Sequence, residues 1–203
     1  MKKSQLLQSL KERGFSKQIL DAFSSVKRED FIHLKLRDKA YWDTALPIGK
    51  GQTISQPYTI AMMLSLLELK KGQKVLEVGS GCGYVLALIS EIIGEKGKVF
   101  GIEIVKELAE ISKESLKEYN VEVYNRNGAF GLKEKAPFDR ILISAACEKV
   151  PKEPLSQLKD KGILVAPVGS RYGQSLTVIK REKKEFVVKK EIPGFAFVPF
   201  VKG

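Results

Sequence analysis

The chain has 203 residues, 43% hydrophobic and 29% charged, with 35 Lys and Arg against 24 Asp and Glu, for a net charge of +11. Such a length and apolar content suit one α/β domain with a sizeable core and exclude a disordered chain. No apolar run approaches the roughly 20 residues that span a bilayer, and "MKKSQLLQSLKERGF" breaks its leucines with Gln8, Lys11, Glu12 and Arg13, unlike a secretory leader; the expectation is a cytoplasmic protein.

The first 45 residues read as helical. Ser4 is placed to cap a helix with Leu6, Leu7 and Leu10 on one face, and Ser16 a second with Ile19, Leu20 and Phe23 inward. The segment "AYWDTALPIGKGQTISQP" reads as loop. A helix then runs from about Pro57 to Leu69, with Ser55 as its N-cap and Pro57 in the first turn, where a missing N–H costs nothing. From there the rhythm changes. "QKVLEV" is a buried strand, "YVLALISEII" a helix stopped near Gly94, and "KVFGIEI" a second strand. "KELAEISKESLKEY" is an amphipathic helix with Leu108, Ile111 and Leu116 on one side. "VEVYN", "FDRILIS" and "GILVAPV" are further strands, the last preceded by the helix "EPLSQLK". "QSLTVIKR" and "EFVVKKEI" flank the charged turn "EKKE" as a hairpin. This alternation predicts a doubly wound, mostly parallel sheet with N-terminal helices and an antiparallel C-terminal tail. The expected organisation is one domain over 1–203: helices and a covering loop at 1–56, a core at 57–170 and terminal strands at 171–203.

The excess charge lies at the two ends. Residues 1–50 carry eleven basic against six acidic side chains, residues 151–203 eleven against five, and the middle hundred thirteen of each. This suits either an anionic partner or a solvated Lys-rich surface. The basic residues are scattered and show no interleaving with aromatics, which argues against nucleic acid. Cys82 and Cys147 are far apart and match no metal spacing, and His33 is the only histidine. A disulfide framework, a two-histidine metal site and a Ser-His triad are therefore not expected. The thiols, Trp42, Tyr41, Asp139 and Arg140 read as structural.

The chemistry concentrates in two turns. The first strand ends in "EVGSGCGY", where Glu77 closes the strand and Gly79, Gly81 and Gly83 alternate. Glycines there let the backbone bend sharply and approach a ligand ahead of a helix N-terminus. The spacing differs from the G-x-G-x-x-G that cradles a pyrophosphate, and suits a smaller anionic group such as an amino-acid carboxylate. Glu103 ends the second strand, twenty residues after Gly83, where an acid accepts hydrogen bonds from two ribose hydroxyls. Together they predict a nucleoside with an anionic tail, and S-adenosylmethionine fits both ends.

"EVGSGCGY" followed by "GIE" resembles the cofactor site of class I S-adenosylmethionine-dependent methyltransferases, with their Rossmann-like fold. "LPIGKGQTISQP", with "AY", "FDRILIS", "VAPVGSRYGQ" and "FVPF", resembles the protein-L-isoaspartate (D-aspartate) O-methyltransferase family over residues 4 to 200. The resemblance implies methylation of isoaspartyl or D-aspartyl carboxylates in damaged proteins, no metal, and a monomer. It implies Ser55, assisted by Thr53, as the hydroxyl that orients the substrate carboxylate. It places Gln56, Pro57 and Tyr58 near the cofactor, Ser80 with Gly79 and Gly81 along its methionine portion, and Gln174 close by. The family's usual Asp-Gly after the third strand is Asn127-Gly128 here, which predicts a weaker, uncharged acceptor for the adenine amino group. Two rival readings remain at this point. One is a class I methyltransferase acting on RNA, and the other is a non-catalytic S-adenosylmethionine-binding domain.

Overall fold

The computed structural model describes residues 1–170 and 172–201. Helices α1 (Lys3–Glu12) and α2 (Lys17–Ser25) lead into two 3-10 turns at Arg28–Phe31 and Leu34–Lys39. Strands β1 (Leu46–Gly49) and β2 (Gln52–Ile54) precede α3 (Pro57–Leu67). The core then alternates β3 (Lys74–Val78), α4 (Tyr84–Ile93), β4 (Lys98–Glu103), α5 (Lys106–Ser115), β5 (Val121–Asn125), β6 (Phe138–Ile143), α6 (Lys152–Ser156) and β7 (Leu158–Ser170). Strands β8 (Gly173–Glu182) and β9 (Glu185–Phe195) close the order.

Seven strands form one sheet in the order β5-β4-β3-β6-β7-β8-β9. The pairs from β5 to β7 are parallel, while β7–β8 and β8–β9 are antiparallel. The chain winds outward from β3 to β5, then crosses back to β6 on the other side of β3. The carboxyl ends of β3 and β6 therefore part at the switch point, where such sheets hold ligands. The expected fold is thus the one observed, and the order of the last strands, open in the sequence, is a simple meander. In β3 the pleat sends Val75 into the apolar cluster shared with α1–α4, and Leu76 and Val78 into a second cluster on the opposite face. Both faces are covered, so every residue of β3 after Lys74 is buried, as a central parallel strand requires.

Several local expectations are corrected. The segment read as loop contains the β1–β2 hairpin, whose turn residues Lys50 and Gly51 both have left-handed φ, 54° and 71°. Two-residue hairpin turns favour that geometry, but strands of four and three residues leave no periodic signature. The N-cap of α3 is Gln56, not Ser55, with Pro57 at the first helical position. Lys2 rather than Ser4 holds the N-cap position of α1, while Ser16 holds that of α2 without a capping hydrogen bond from its side chain. In α5 Leu108, Ala109 and Ser112 face the core, whereas Ile111 is 51% exposed. The helix α6 stops at Ser156 because Leu158 already pairs with Phe138 as sheet. Among the described residues no helix is long and apolar enough to cross a membrane.

Candidate active site

The turn after β3 is a left-handed path, with φ of 81° at Gly79, 53° at Gly81 and 88° at Gly83. The Gly79 and Ser80 amides donate to the Ile102 carbonyl at 2.8 and 3.1 Å, which braces the turn against the end of β4. Gly83 also has a packing reason: a Cβ there would meet Ser112 Oγ at 2.5 Å. At Gly81 a Cβ would come within 3.1 Å of the Ile48 side chain, because the β1–β2 hairpin lies over the turn.

Glu103 stands beside this turn, only 5% exposed. Its Oε2 accepts from the Gly81 amide at 2.7 Å and its Oε1 from the Val105 amide at 2.9 Å. Two backbone donors thus fix the carboxylate, and each oxygen keeps a lone pair. Glu103 lines a cleft walled by Thr53, Gly79, Gly81, Gly128 and Phe200. A smaller recess runs beneath the hairpin, lined by Ser55, Glu77, Gly79, Ser80, Gly81 and Tyr84. A broad groove lies between Arg13, Ser55, Gln56 and Tyr58 and the segment Pro193–Val198. Thr53 and Ser144 line all three spaces, so they mark the junction.

Glu77 is 1% exposed. Its Oε1 lies 2.6 Å from Ser144 Oγ, and its Oε2 has no partner. Burial pushes its carboxyl up to about 8; the Ser144 hydroxyl pulls the other way, and the Glu103 charge adds a smaller upward push. A group neutral near pH 7 therefore sits in the recess. Burial likewise raises the Cys82 thiol to about 11, and both cysteines are buried, consistent with packing roles. Asp139 accepts from the Lys74 amide and Arg140 donates to the Leu67 and Glu68 carbonyls, so both brace the sheet as expected.

Other predicted residues lie apart from the cleft. Tyr58 faces the broad groove, its ring beneath the Arg13 guanidinium at 4.7 Å and its amide donating to Asp43 at 2.8 Å. Pro57 begins α3 and Gly83 is the N-cap of α4. Asn127 caps a 3-10 turn, its Oδ1 accepting from the Ala129 amide at 2.8 Å, while Gly128 behind it reaches the cleft. Gln174 is buried outside the cleft. Its Nε2 donates to the Ser170 carbonyl and its Oε1 accepts from the Phe197 amide, tying the C-terminal segment to the sheet. Sequence reasoning missed Ser144 and Phe200. The position of Ser144 at the end of β6, beside the first strand, is the signal that would have found it.

The glycine turn, the fixed acid after β4 and a recess with one unpartnered carboxyl oxygen suit a nucleoside bearing an amino-acid tail. Fold and site together define a Rossmann-like, S-adenosylmethionine-dependent methyltransferase. Residues 1–203 match the family profile of protein-L-isoaspartate (D-aspartate) O-methyltransferases. The chain is 42% identical over 202 residues to protein-L-isoaspartate O-methyltransferase 2 of Archaeoglobus fulgidus, covering 98% of this chain and 92% of that one. It is 43% identical over 207 residues to the Ignicoccus hospitalis protein-L-isoaspartate O-methyltransferase, covering 99% and 98%. A Plasmodium falciparum structure described under the same enzyme name, in complex with S-adenosyl-L-homocysteine, superposes with a TM-score of 0.85 at 27% identity over 99% of this chain and 98% of that one. A further protein-L-isoaspartate O-methyltransferase structure gives 0.90 at 29%, with this chain spanning 65% of its length. The chain belongs to the protein-L-isoaspartate (D-aspartate) O-methyltransferase family.

Proposed function

We propose that the chain moves a methyl group from S-adenosylmethionine to the α-carboxylate of L-isoaspartyl residues, and to the β-carboxylate of D-aspartyl residues, in damaged polypeptides. The ester then closes to a succinimide, the adjacent backbone nitrogen displacing methanol, and hydrolysis of the ring returns part of the chain to aspartyl linkage. The observation that carries this reading is the junction, where Thr53 and Ser144 line both the cofactor cleft and the broad groove beside it.

Bound in the cleft, S-adenosylmethionine supplies an electrophilic methyl on a sulfonium. The residues do the rest by holding and orienting. Glu103 takes the ribose diol on its remaining lone pairs. Gly79, Ser80 and Gly81 follow the methionine portion, and Glu77 Oε2 offers it a hydrogen bond. Gly128 forms a wall for the base, and Asn127 offers its oxygen to the adenine amino group beside the capping bond it already makes. Gln56 and Tyr58 sit on the polypeptide side of the junction, and Gln174 acts through the C-terminal segment. A carboxylate has a reference pKa near ~4 and is already a nucleophile at neutral pH, so no general base is required. Holding it in line can supply roughly 7–11 kcal/mol of barrier reduction. Ser55 and Thr53 are the hydroxyls assigned to that task. Gln56, not Ser55, holds the N-cap position of α3, and this supports the assignment.

The reading extends to a single-domain, cytoplasmic monomer whose partners are polypeptides rather than nucleic acid, in keeping with the scattered basic residues. The test uses labelled S-adenosylmethionine with one short peptide made in aspartyl and isoaspartyl forms. Base-labile label on the isoaspartyl form alone is expected. Label on tRNA with none on either peptide would overturn the reading, and no label on any acceptor would indicate a non-catalytic binding domain.

A further inference from the structure

Arg28 is fully buried, at 0% exposure, although arginine is rarely so. It opens the first 3-10 turn, remote in sequence from every motif of the site. Its Nη1 donates to the Ser55 carbonyl at 2.9 Å and its Nη2 to the Thr44 carbonyl at 3.2 Å. Its guanidinium carbon lies 5.5 Å from the centre of the Tyr84 ring, the residue that begins α4 directly after the glycine turn. No carboxylate among the described residues forms an ion pair with it, and its Nε has no hydrogen-bond partner.

Asp43 favours the charge from beyond ion-pair distance, but a buried cation with no direct ion pair is costly, and an apolar residue of similar size would pack there more cheaply. Thr44 and Ser55 bracket the β1–β2 hairpin, so one planar group joins both feet of the flap that covers the glycine turn. A guanidinium can do this because its donors form a rigid fork, whereas an ammonium cannot reach two carbonyls in the same geometry. We propose that Arg28 is a positioning residue for methyl transfer: it closes the hairpin at its base, seats the flap against the start of α4, and so fixes where the Ser55 hydroxyl stands. The Ser55 peptide lies between this cation and the junction. Its positive potential therefore reaches an incoming carboxylate without a direct contact that would blunt attack. The assignment deepens the proposed function and rests on it.

The test compares wild type with Arg28→Lys, which keeps the charge, and Arg28→Met, which removes it. Three quantities are measured: the Kd for S-adenosylhomocysteine, kcat and KM for an isoaspartyl peptide, and amide hydrogen exchange across the chain. For Arg28→Lys the expected result is faster exchange confined to residues 44–55, cofactor-product affinity within about threefold, and kcat/KM lower by at least about tenfold. That is the fold-change expected when one hydrogen bond from a charged donor is lost. Exchange that quickens over the whole sheet, with product affinity falling in step, would mean that Arg28 merely stabilises the fold. Unchanged exchange at 44–55 would also overturn the proposal. If wild type methylates no isoaspartyl peptide, the functional reading fails, and the exchange pattern still decides whether the clamp exists. If Arg28→Met fails to fold, the Lys variant carries the decision.

Discussion

Replacing Glu77 by Gln tests the electrostatics of the recess directly. The side chain keeps its shape and its Oε1 can still accept from Ser144, but it can no longer ionise. Burial raises the wild-type carboxyl from 4.5 to about 8. Below pH 4.5 the folded and unfolded chains both hold the proton, and Glu77 contributes nothing to pH dependence. Between 4.5 and 8 the unfolded chain ionises while the folded one stays protonated, so the native state binds more protons and stability falls as pH rises. Above 8 both forms are ionised and the cost is constant. Each pH unit in that window costs about 1.4 kcal/mol, so the full loss has a ceiling of several kcal/mol. Urea unfolding of wild type and Glu77→Gln at pH 5, 7 and 8.5 reads it out. The advantage of Gln should grow by at least about 2 kcal/mol from pH 5 to 8.5. A fixed offset from the extra amide donor is independent of pH and cancels from that difference. Parallel pH profiles for the two proteins would show that Glu77 titrates normally, and the account of a neutral acid in the recess would fail.

Glu103→Ala should weaken S-adenosylhomocysteine binding by about 2–3 kcal/mol in calorimetry, because bonds to a charged acceptor are lost; unchanged affinity would refute the ribose assignment. Ser55→Ala should lower kcat/KM for an isoaspartyl peptide by about tenfold or more while leaving product affinity nearly intact. Activity at the wild-type level would leave Ser55 with only its backbone contact to Arg28. Gly83→Ala should destabilise the fold by about 1–3 kcal/mol, since its Cβ would meet Ser112 Oγ at 2.5 Å in a left-handed conformation; thermal unfolding measures this. Asn127→Asp keeps an oxygen for the Ala129 amide and adds a charge, so product binding should tighten a few-fold, and equal or weaker binding would remove Asn127 from the adenine contacts.

The sheet was legible because its signals are local. Buried parallel strands read as short apolar runs, and α4 begins at Tyr84 and ends at Ile93, where the glycines on either side place it. The glycine turn and Glu103 were legible for the same reason, each lying at a strand end fixed by topology. The hairpin was not, because β1 and β2 together span seven residues and take their shape from packing over the turn, as Ile48 does against Gly81. Ser144 and Arg28 were hidden more deeply. Ser144 matters only because β6 lies beside β3, a pairing between residues more than sixty apart. Arg28 looks like any Lys-rich surface position until its two carbonyl partners, 16 and 27 residues away, are known. Gln174, placed near a cofactor by resemblance alone, makes its hydrogen bonds to Ser170 and Phe197.

Gln56 and Arg28 bear on whether the Ser55 hydroxyl caps α3 or faces a substrate. Gln56 takes the N-cap position, and the Ser55 carbonyl is held by Arg28. The backbone is thus anchored without using the hydroxyl, which is left to the recess and the groove. Arg28 and Glu77 present no bare charge to the junction, whereas Arg13 lines the groove and is paired with Asp43. Arg28 is screened by a peptide group, and Glu77 is held neutral near pH 7 by burial. Under the proposed function, the hydroxyls that orient an incoming carboxylate by hydrogen bonds are those of Thr53 and Ser55, since Ser144 already donates to Glu77. A cation at direct contact would bind the same carboxylate more tightly before reaction than during it, because its negative charge disappears as the ester forms. Stabilising the ground state more than the transition state slows a reaction. Hydroxyl donors lose less on that path.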